Sequence, residues 1–331
     1  MPNLTLADIK NRMDPDGSHA QVVEVLAQAN PIHIDAVWRE GNLPTGNQTT
    51  RRSGLPSIGF RSINQGIQAS KSTTNQVVDT CCLIEGNSEI DRQVLKIEKD
   101  PKEFRWSEDM AFIEKFNQTF SSAFIYGDVT QDPEKFNGLA ARYKAMSTTK
   151  GELGYQIVSA GGSDTDMTSM WLVAWGDKSV HYIYPSGSKA GLDITDLGLQ
   201  RVTDSSGYPY LAWCTNFVWT PGLAVKDPRY VARLCNIDIS ALKSFGSGSD
   251  TSPKLLDRAV EAKNKIQDFA SVKPAWYCNE TVYTWLEIML QNKNNVFITR
   301  QELMGKMPEL FLCGIPVRKV DSILNTETAI S

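Results

Sequence analysis

An α+β fold is predicted by three features of this 331-residue sequence. A phenylalanine stripe at helical spacing marks a long helix in the first half. Apolar and alternating segments crowd residues 155–238 and mark a sheet. A mixed helix–strand block occupies residues 253–331. A long helix followed by a separate strand-rich block points to α+β layers rather than to strand–helix–strand units repeated along the whole chain.

The elements follow in chain order. Thr5 caps a short helix through Met13, with Leu6, Ile9 and Met13 on one face. Asp14-Pro15-Asp16-Gly17 makes a turn. A second short helix runs from about Ala20 to Ala29 and ends at Asn30-Pro31. Residues 1–48 carry six acids against three bases, a charge of −3.

Residues 49–80 change character. Eight of the 32 are apolar, and 18 are Ser, Thr, Asn, Gln or Gly, too little apolar surface for a core of their own. Arg51, Arg52, Arg61 and Lys71 face only Asp79, so the charge reverses to +3. A disordered linker is one reading. The other is a long polar hairpin: Ile58, Phe60 and Arg61 outgoing, Val77-Val78 and Cys81–Ile84 returning, and a tip from Asn64-Gln65-Gly66 through Ser72. A two-stranded ribbon is marginal alone in water, so an ordered hairpin is expected to lean on something outside its own subunit.

Ser107 is a good N-cap for the long helix, and Glu108 and Asp109 suit its positive end. Phe112, Ile113, Phe116, Phe120 and Phe124 form the stripe, and Gly127 follows the last turn. From Ser107 to Tyr126 such a helix is about 30 Å long. Met170–Trp175 reads as a buried strand, Gly176–Ser179 as a turn, and Val180–Tyr184 as its hairpin partner. Leu211–Trp219 and Tyr230–Ile237 are further strands, and residues 244–252, rich in Gly and Ser, a linker or exposed loop. Ser252 and Pro253 open a helix whose face holds Leu255, Leu256, Ala259, Ala262, Ile266 and Phe269. Ala275–Cys278 is a short strand. Asn279 caps a helix carrying Val282, Leu286, Met289 and Leu290, and Thr299–Glu302 is a capping box. Leu310–Leu312 and Ile315–Arg318 form one strand kinked at Gly314.

Composition narrows the function. Apolar residues make up 41% and charged residues 22%, as in globular chains. The net charge is −4, from 34 bases and 38 acids, whereas a protein that wraps nucleic acid needs a basic excess. No apolar run reaches a membrane span, and the start, Met1-Pro2-Asn3-Leu4-Thr5, does not read as a secretory signal. Cys81, Cys82, Cys214, Cys235, Cys278 and Cys313 include no CxxC pair and read as free thiols in a reducing compartment, with a Cys81–Cys82 disulfide the rival reading.

Chemistry-bearing motifs are scarce. His19, His33 and His181 are far apart in sequence, and His181, in an apolar strand, reads as a structural histidine. Nucleophile-elbow, phosphate-loop and dinucleotide motifs are absent. Asp14-Pro15-Asp16-Gly17 starts like a calcium loop, but His19 stands where glycine is demanded and Val25 where glutamate is. No catalytic, cofactor or metal site is expected. Trp171, Trp175, Trp213 and Trp219 suit a sheet core.

Certain stretches resemble a known family. They are Leu4-Thr5-Leu6-Ala7-Asp8, Met13–Gly17, Trp38-Arg39-Glu40-Gly41-Asn42-Leu43-Pro44-Thr45-Gly46, Ser70-Lys71-Ser72-Thr73-Thr74, Tyr126-Gly127-Asp128, Lys189-Ala190-Gly191-Leu192 and Gly314-Ile315-Pro316-Val317-Arg318. Together with the element order, they are similar to the major capsid protein of tailed double-stranded DNA bacteriophages, in a short-tailed-phage branch. The resemblance covers nearly the whole chain and implies the Hong Kong 97-type (Johnson) capsid fold. It implies an N-terminal arm at 1–48 and an extended β-hairpin loop at 49–100. A peripheral domain would follow at 101–250, with its spine helix at 107–126 and a β-rich part, and an axial α/β domain at 251–331.

The implied role is structural and not enzymatic: self-assembly into pentamers and hexamers of an icosahedral head enclosing double-stranded DNA. The implied partners are other copies of the chain, a separate scaffolding protein, a portal protein and a cement or decoration protein. No cofactor, membrane or sequence-specific DNA contact is implied. Particles would assemble in the bacterial host cytoplasm and reside in the virion. The charge pattern adds an expectation about contacts: Arg51, Arg52, Arg61 and Lys71 lie over an acidic neighbour surface, with Glu108, Asp109 and Glu114 as a target. Two rival readings are an encapsulin-like cellular compartment and a cytosolic hydrolase.

Overall fold

The structure, a computed structural model, describes residues 28, 30–97, 99–163, 165–243, 255–290, 298–301 and 309–330. The two helices expected before residue 30, the turn and the resemblance stretches before residue 28, His19 and the 244–252 loop with its Ser252 cap lie outside these residues.

A ten-stranded sheet forms the body. Its strands are β1 (Trp38–Glu40), β5 (Ile157–Ser159), β6 (Met167–Trp175), β7 (Val180–Tyr184), β10 (Gly222–Val225), β11 (Val231–Asp238), β12 (Lys273–Cys278), β13 (Ile298–Gln301), β14 (Glu309–Leu312) and β15 (Ile315–Lys319). The main path runs β1-β7-β6-β12-β15-β14-β13, while β10 joins β7, β11 joins β6 and β5 joins β11. Every residue of β6 is buried, which is why its sequence is a continuous apolar run rather than an alternation. Trp171, Val173 and Trp175 face one core, with Phe120, Phe124 and Tyr182. Met170, Leu172 and Ala174 face the other, against helices α6 (Leu255–Lys265) and α7 (Glu280–Leu290).

Three expectations about this sheet are corrected. β6 and β7 do not form a hairpin ladder: they meet at Trp175 and Val180 alone, in parallel sense. Both edges of β6 are already taken around Val173, by β11 at Val231 and by β12 at Ala275, so β7 pairs with β1 and β10 instead. Leu310–Arg318 is a two-strand hairpin rather than one kinked strand. Its turn, Cys313 and Gly314, has φ of 54° and 80°, the left-handed pair that a tight two-residue hairpin requires. Finally, Thr299–Gln301 belong to β13, where the ladder to β14 claims their backbone in place of a capping box. Asn279 does cap its helix, its Oδ1 accepting from Val282 N at 2.9 Å.

A smaller layer packs beside the body. Strand β4 (Ile84–Asp91), β8 (Asp193–Thr203) and β9 (Pro209–Trp219) form an antiparallel sheet with β9 central. It is covered by helix α2 (Arg92–Ile97) and the long helix α3 (Pro101–Tyr126). Between α1 (Ile32–Asp35) and α6 also lie the short α4 (Leu139–Arg142) and α5 (Ile239–Lys243). Helix α3 starts six residues before the expected Ser107. Asp100 is its cap, accepting from Lys102 N and Glu103 N, with Pro101 at the first helical position. Ser107 therefore sits inside the helix, because the extra turns bury Phe104 against Ile90, Val94 and Leu95. The phenylalanine stripe is core, as read: Phe112 stacks on Phe217 at 5.4 Å and Phe120 lies 4.5 Å from Trp219.

The C-terminal tail is woven into the body. Glu327 N bonds Met167 O, and Asn236 is bonded to both the amide and the carbonyl of Ile330. The Glu327 carboxylate pairs with Arg233 at 2.8 Å, with both side chains buried. It also accepts from Tyr126 OH at 2.6 Å and from Ser169 Oγ. All six cysteines are free.

Two histidines, His181 buried and His33 half-buried, give the subunit an acid limit. His33 lies against Phe120 with its Nε2 on Ser121 Oγ, and burial pushes its pKa down to about 4. His181 in β7 is held down to about 4 by burial and then by the Lys226 charge. Both stay neutral in the folded subunit over a range where the unfolded chain binds protons, below about pH 6.5. Acidification therefore favours the unfolded chain, by up to about 2 kcal/mol per histidine at pH 5. The urea midpoint of unassembled subunits should fall between pH 7 and 5, and His33→Gln with His181→Gln should flatten that slope. A midpoint that rises on acidification would contradict this account.

Candidate inter-subunit contact surface

The polar segment forms an ordered ribbon. Strand β2 (Gly46–Gly54) pairs antiparallel with β3 (Thr73–Thr80), from Gly46 opposite Thr80 to Gly54 opposite Thr73. The strands lie closer to the body than expected. Ile58, Phe60 and Arg61 are not in the outgoing strand but in the 55–72 connection, which has no regular secondary structure beyond a turn at Ile63-Asn64. With Pro56, Gly59 and Gly66 interrupting it, this stretch does not extend the ladder.

The ribbon's base is fastened firmly. Cys81 N bonds Thr45 O and Cys82 N bonds Pro221 O, both at 2.9 Å. Gly46 is required where it stands, since a Cβ there would lie 2.1 Å from Asp79 O. Asp79 is buried and pairs with Arg142 at 2.7 Å, and Arg142 also donates to Leu223 O and Asn137 O. Arg51 Nε donates to Lys226 O at 2.9 Å, and its Nη2 donates to Val225 O.

The far end is the opposite. Ile58, Phe60 and Ile63 are 92%, 110% and 91% exposed, and Leu55 and Ile67 are also exposed. Five large apolar side chains on this one loop stand exposed among the described residues. Exposed apolar groups concentrated like this mark an interaction surface.

The expected contact residues divide accordingly. Arg51 is half-buried and spent on carbonyls of its own subunit. Arg52 is exposed on the ribbon. Arg61 and Lys71 are exposed on the loop, where Arg61 Nη1 donates to Gln65 O at 2.9 Å. Glu108, Asp109 and Glu114 are half-buried on α3. Burial pushes the Asp109 carboxyl up despite the nearby Arg105 charge, and its Oδ1 is buried without a hydrogen bond. Glu114 Oε1 accepts from Gln28 N and from Gln118 Nε2. Among the described residues, no ion pair joins the basic set to the acidic set. The sequence pattern did not reveal the Asp79–Arg142 anchor, whose partners are 63 residues apart.

The family model for major capsid protein GP7 matches residues 14–331. Among solved structures, the chain is similar to one from bacteriophage Epsilon15 determined by cryo-EM. The identity is 31%, covering 100% of this chain and 98% of that one, with a TM-score of 0.77. The bacteriophage JBD30 capsid matches at 8% identity over 90% of this chain and 92% of that one, with a TM-score of 0.47. The capsid of the native GTA particle matches at 12% identity over 71% and 99%, with a TM-score of 0.45. No curated protein matches the chain.

Proposed function

The chain belongs to the major capsid protein GP7 family, and on that premise we propose how its subunits join into a phage head. It is a phage shell protein of the short-tailed branch with a Hong Kong 97-type capsid fold, its role is structural, and its place is the virion capsid. The finer reading is that copies close into pentamers and hexamers of an icosahedral head around double-stranded DNA, assembled in the bacterial cytoplasm. A scaffolding protein, a portal and a cement or decoration protein would complete that particle.

One observation carries the assembly reading: a ribbon fastened at its base ends in a loop whose apolar side chains stand uncovered among the described residues. A sister subunit supplies that cover. Arg61 and Lys71 on the loop set its register against acidic groups of the neighbour, sought on α3 around Glu108, Asp109 and Glu114. In this reading, residues 1–48 are the arm, 49–100 the extended loop, 101–250 the peripheral domain and 251–331 the axial domain. The ten-stranded sheet takes β1 from the arm and strands from both sides of residue 250, so three of these parts share it.

Negative-stain microscopy of the purified protein should show closed shells, and phage-derived particles should hold nuclease-protected double-stranded DNA. Elution as a small oligomer at assembly concentrations would defeat the shell reading. Particles holding protein cargo and no DNA would favour the encapsulin-like alternative.

A further inference from the structure

The net charge of −4 conceals a concentrated basic track on one face. Three concavities, of about 430, 720 and 590 Å³, border one another through shared lining residues. The first and second share Lys178; the second and third share Arg51, Arg52, Ser53, Gly151 and Pro228. Nine lysines and arginines line the three together, against three carboxylates, those of Asp177, Asp227 and Glu152.

Much of this charge is not neutralised locally. The Arg51 guanidinium is held by the carbonyls of Val225 and Lys226, and Lys226 Nζ donates to Asp177 O at 3.1 Å. Carbonyls orient a cation without cancelling it. Neither Arg52 nor Lys178 makes an ion pair among the described residues, and Arg52 is exposed. The hydroxyls of Thr49, Thr50 and Ser53 line the middle concavity beside them.

We propose that this track binds the phosphodiester backbone of nucleic acid. A row of bordering concavities lined by guanidinium, ammonium and hydroxyl groups matches a linear polyanion with regularly spaced charges. Such contacts hold the backbone without reading sequence. A single acidic side chain would need one pocket, not three joined ones. The proposal goes beyond the shell reading and does not depend on it.

The test is fluorescence anisotropy of a short labelled DNA duplex with unassembled full-length subunits, titrated between about 50 and 200 mM salt. Binding should weaken as salt rises. Arg52→Glu with Lys178→Glu should weaken it at least tenfold at low salt and reduce the log–log salt slope by about 2. Arg201→Glu, on β8 and outside the track, should leave both unchanged. Matching circular dichroism and unfolding midpoints confirm that the variants fold. The inference is overturned by absence of duplex binding at low salt, by binding indifferent to the double reversal, or by a poly-glutamate peptide binding at least as tightly as the duplex. Scoring shells by microscopy on the same protein brought separately to assembly concentrations separates the two readings. Shells without duplex binding sink the track alone, and duplex binding without shells sinks the assembly reading alone.

Discussion

Replacing Glu327 with Ala is expected to cost the folded subunit about 3–5 kcal/mol. Arg233 is buried, its Nη1 donating to Tyr143 O at 2.9 Å and its Nε to Ser169 Oγ at 3.2 Å, with the Trp171 ring 4.7 Å away. Glu327 is the carboxylate in its salt bridge. Removing it leaves a charge out of water with no opposite charge to offset it. The loss spreads, because the same carboxylate holds Tyr126 OH. Burial first, and then the Glu327 charge, push the Tyr126 pKa up, so the phenol keeps its proton and stays a donor. Urea denaturation of unassembled subunits reads the effect. Glu327→Gln, which keeps the shape, should cost less. Arg233→Met combined with Glu327→Leu should recover much of the loss by replacing the pair with packed apolar groups. Breaking the exposed Arg258–Glu261 pair should cost under about 1 kcal/mol and serves as the control. A Glu327→Ala midpoint equal to wild type would refute the assignment of this pair as a tail anchor.

The second large effect is on assembly. Ile58→Ser, Phe60→Ser and Ile63→Ser together should abolish shells while leaving the unfolding midpoint of the isolated subunit unchanged. The three side chains are almost wholly exposed, so the subunit spends nothing on them. If a sister copy covers them, each contributes about 1.5–3 kcal/mol to that contact. A closed shell repeats the contact many times, so a moderate loss per joint becomes a complete loss of particles. Sedimentation should show subunits or small capsomers in place of shells. Normal particle yield from the triple variant would remove the loop from the assembly account, and a lowered midpoint would show that it is packed at home.

Local signals were legible and distant pairings were not. The phenylalanine stripe, the apolar run of β6 and the Asn279 cap each declare themselves within a few residues, because periodicity and capping are local. The true start of α3 was hidden because Asp100-Pro101 is followed by Lys102 and Glu103, with its apolar anchor Phe104 lying before the stripe. Strand β8 escaped notice because nine of its eleven residues are exposed, leaving no buried face to imprint an alternation. The partner of β6 could not be guessed from adjacency, since that is settled by strands about 60 and 100 residues away. The ribbon's polarity showed where it would be, but its true strands are set by pairing at the fastened end. Among the contact residues, Lys71 stands on the loop as the pattern suggested, and Arg61, expected in the outgoing strand, stands there with it. Arg51 serves its own subunit through carbonyls, which leave no trace in sequence.

The buried Asp79–Arg142 pair has a mechanical consequence. It ties the returning strand to the segment after α3, at the point where the ribbon leaves the body, so the projection behaves as a beam built into a wall. A push on its tip cannot be absorbed by swivelling at the root. The load passes through Arg142 to the Leu223 carbonyl on β10 and on into the large sheet. In the shell proposed above, such beams would meet outward pressure with backbone ladders, which are stiff, rather than with hinges, which are soft.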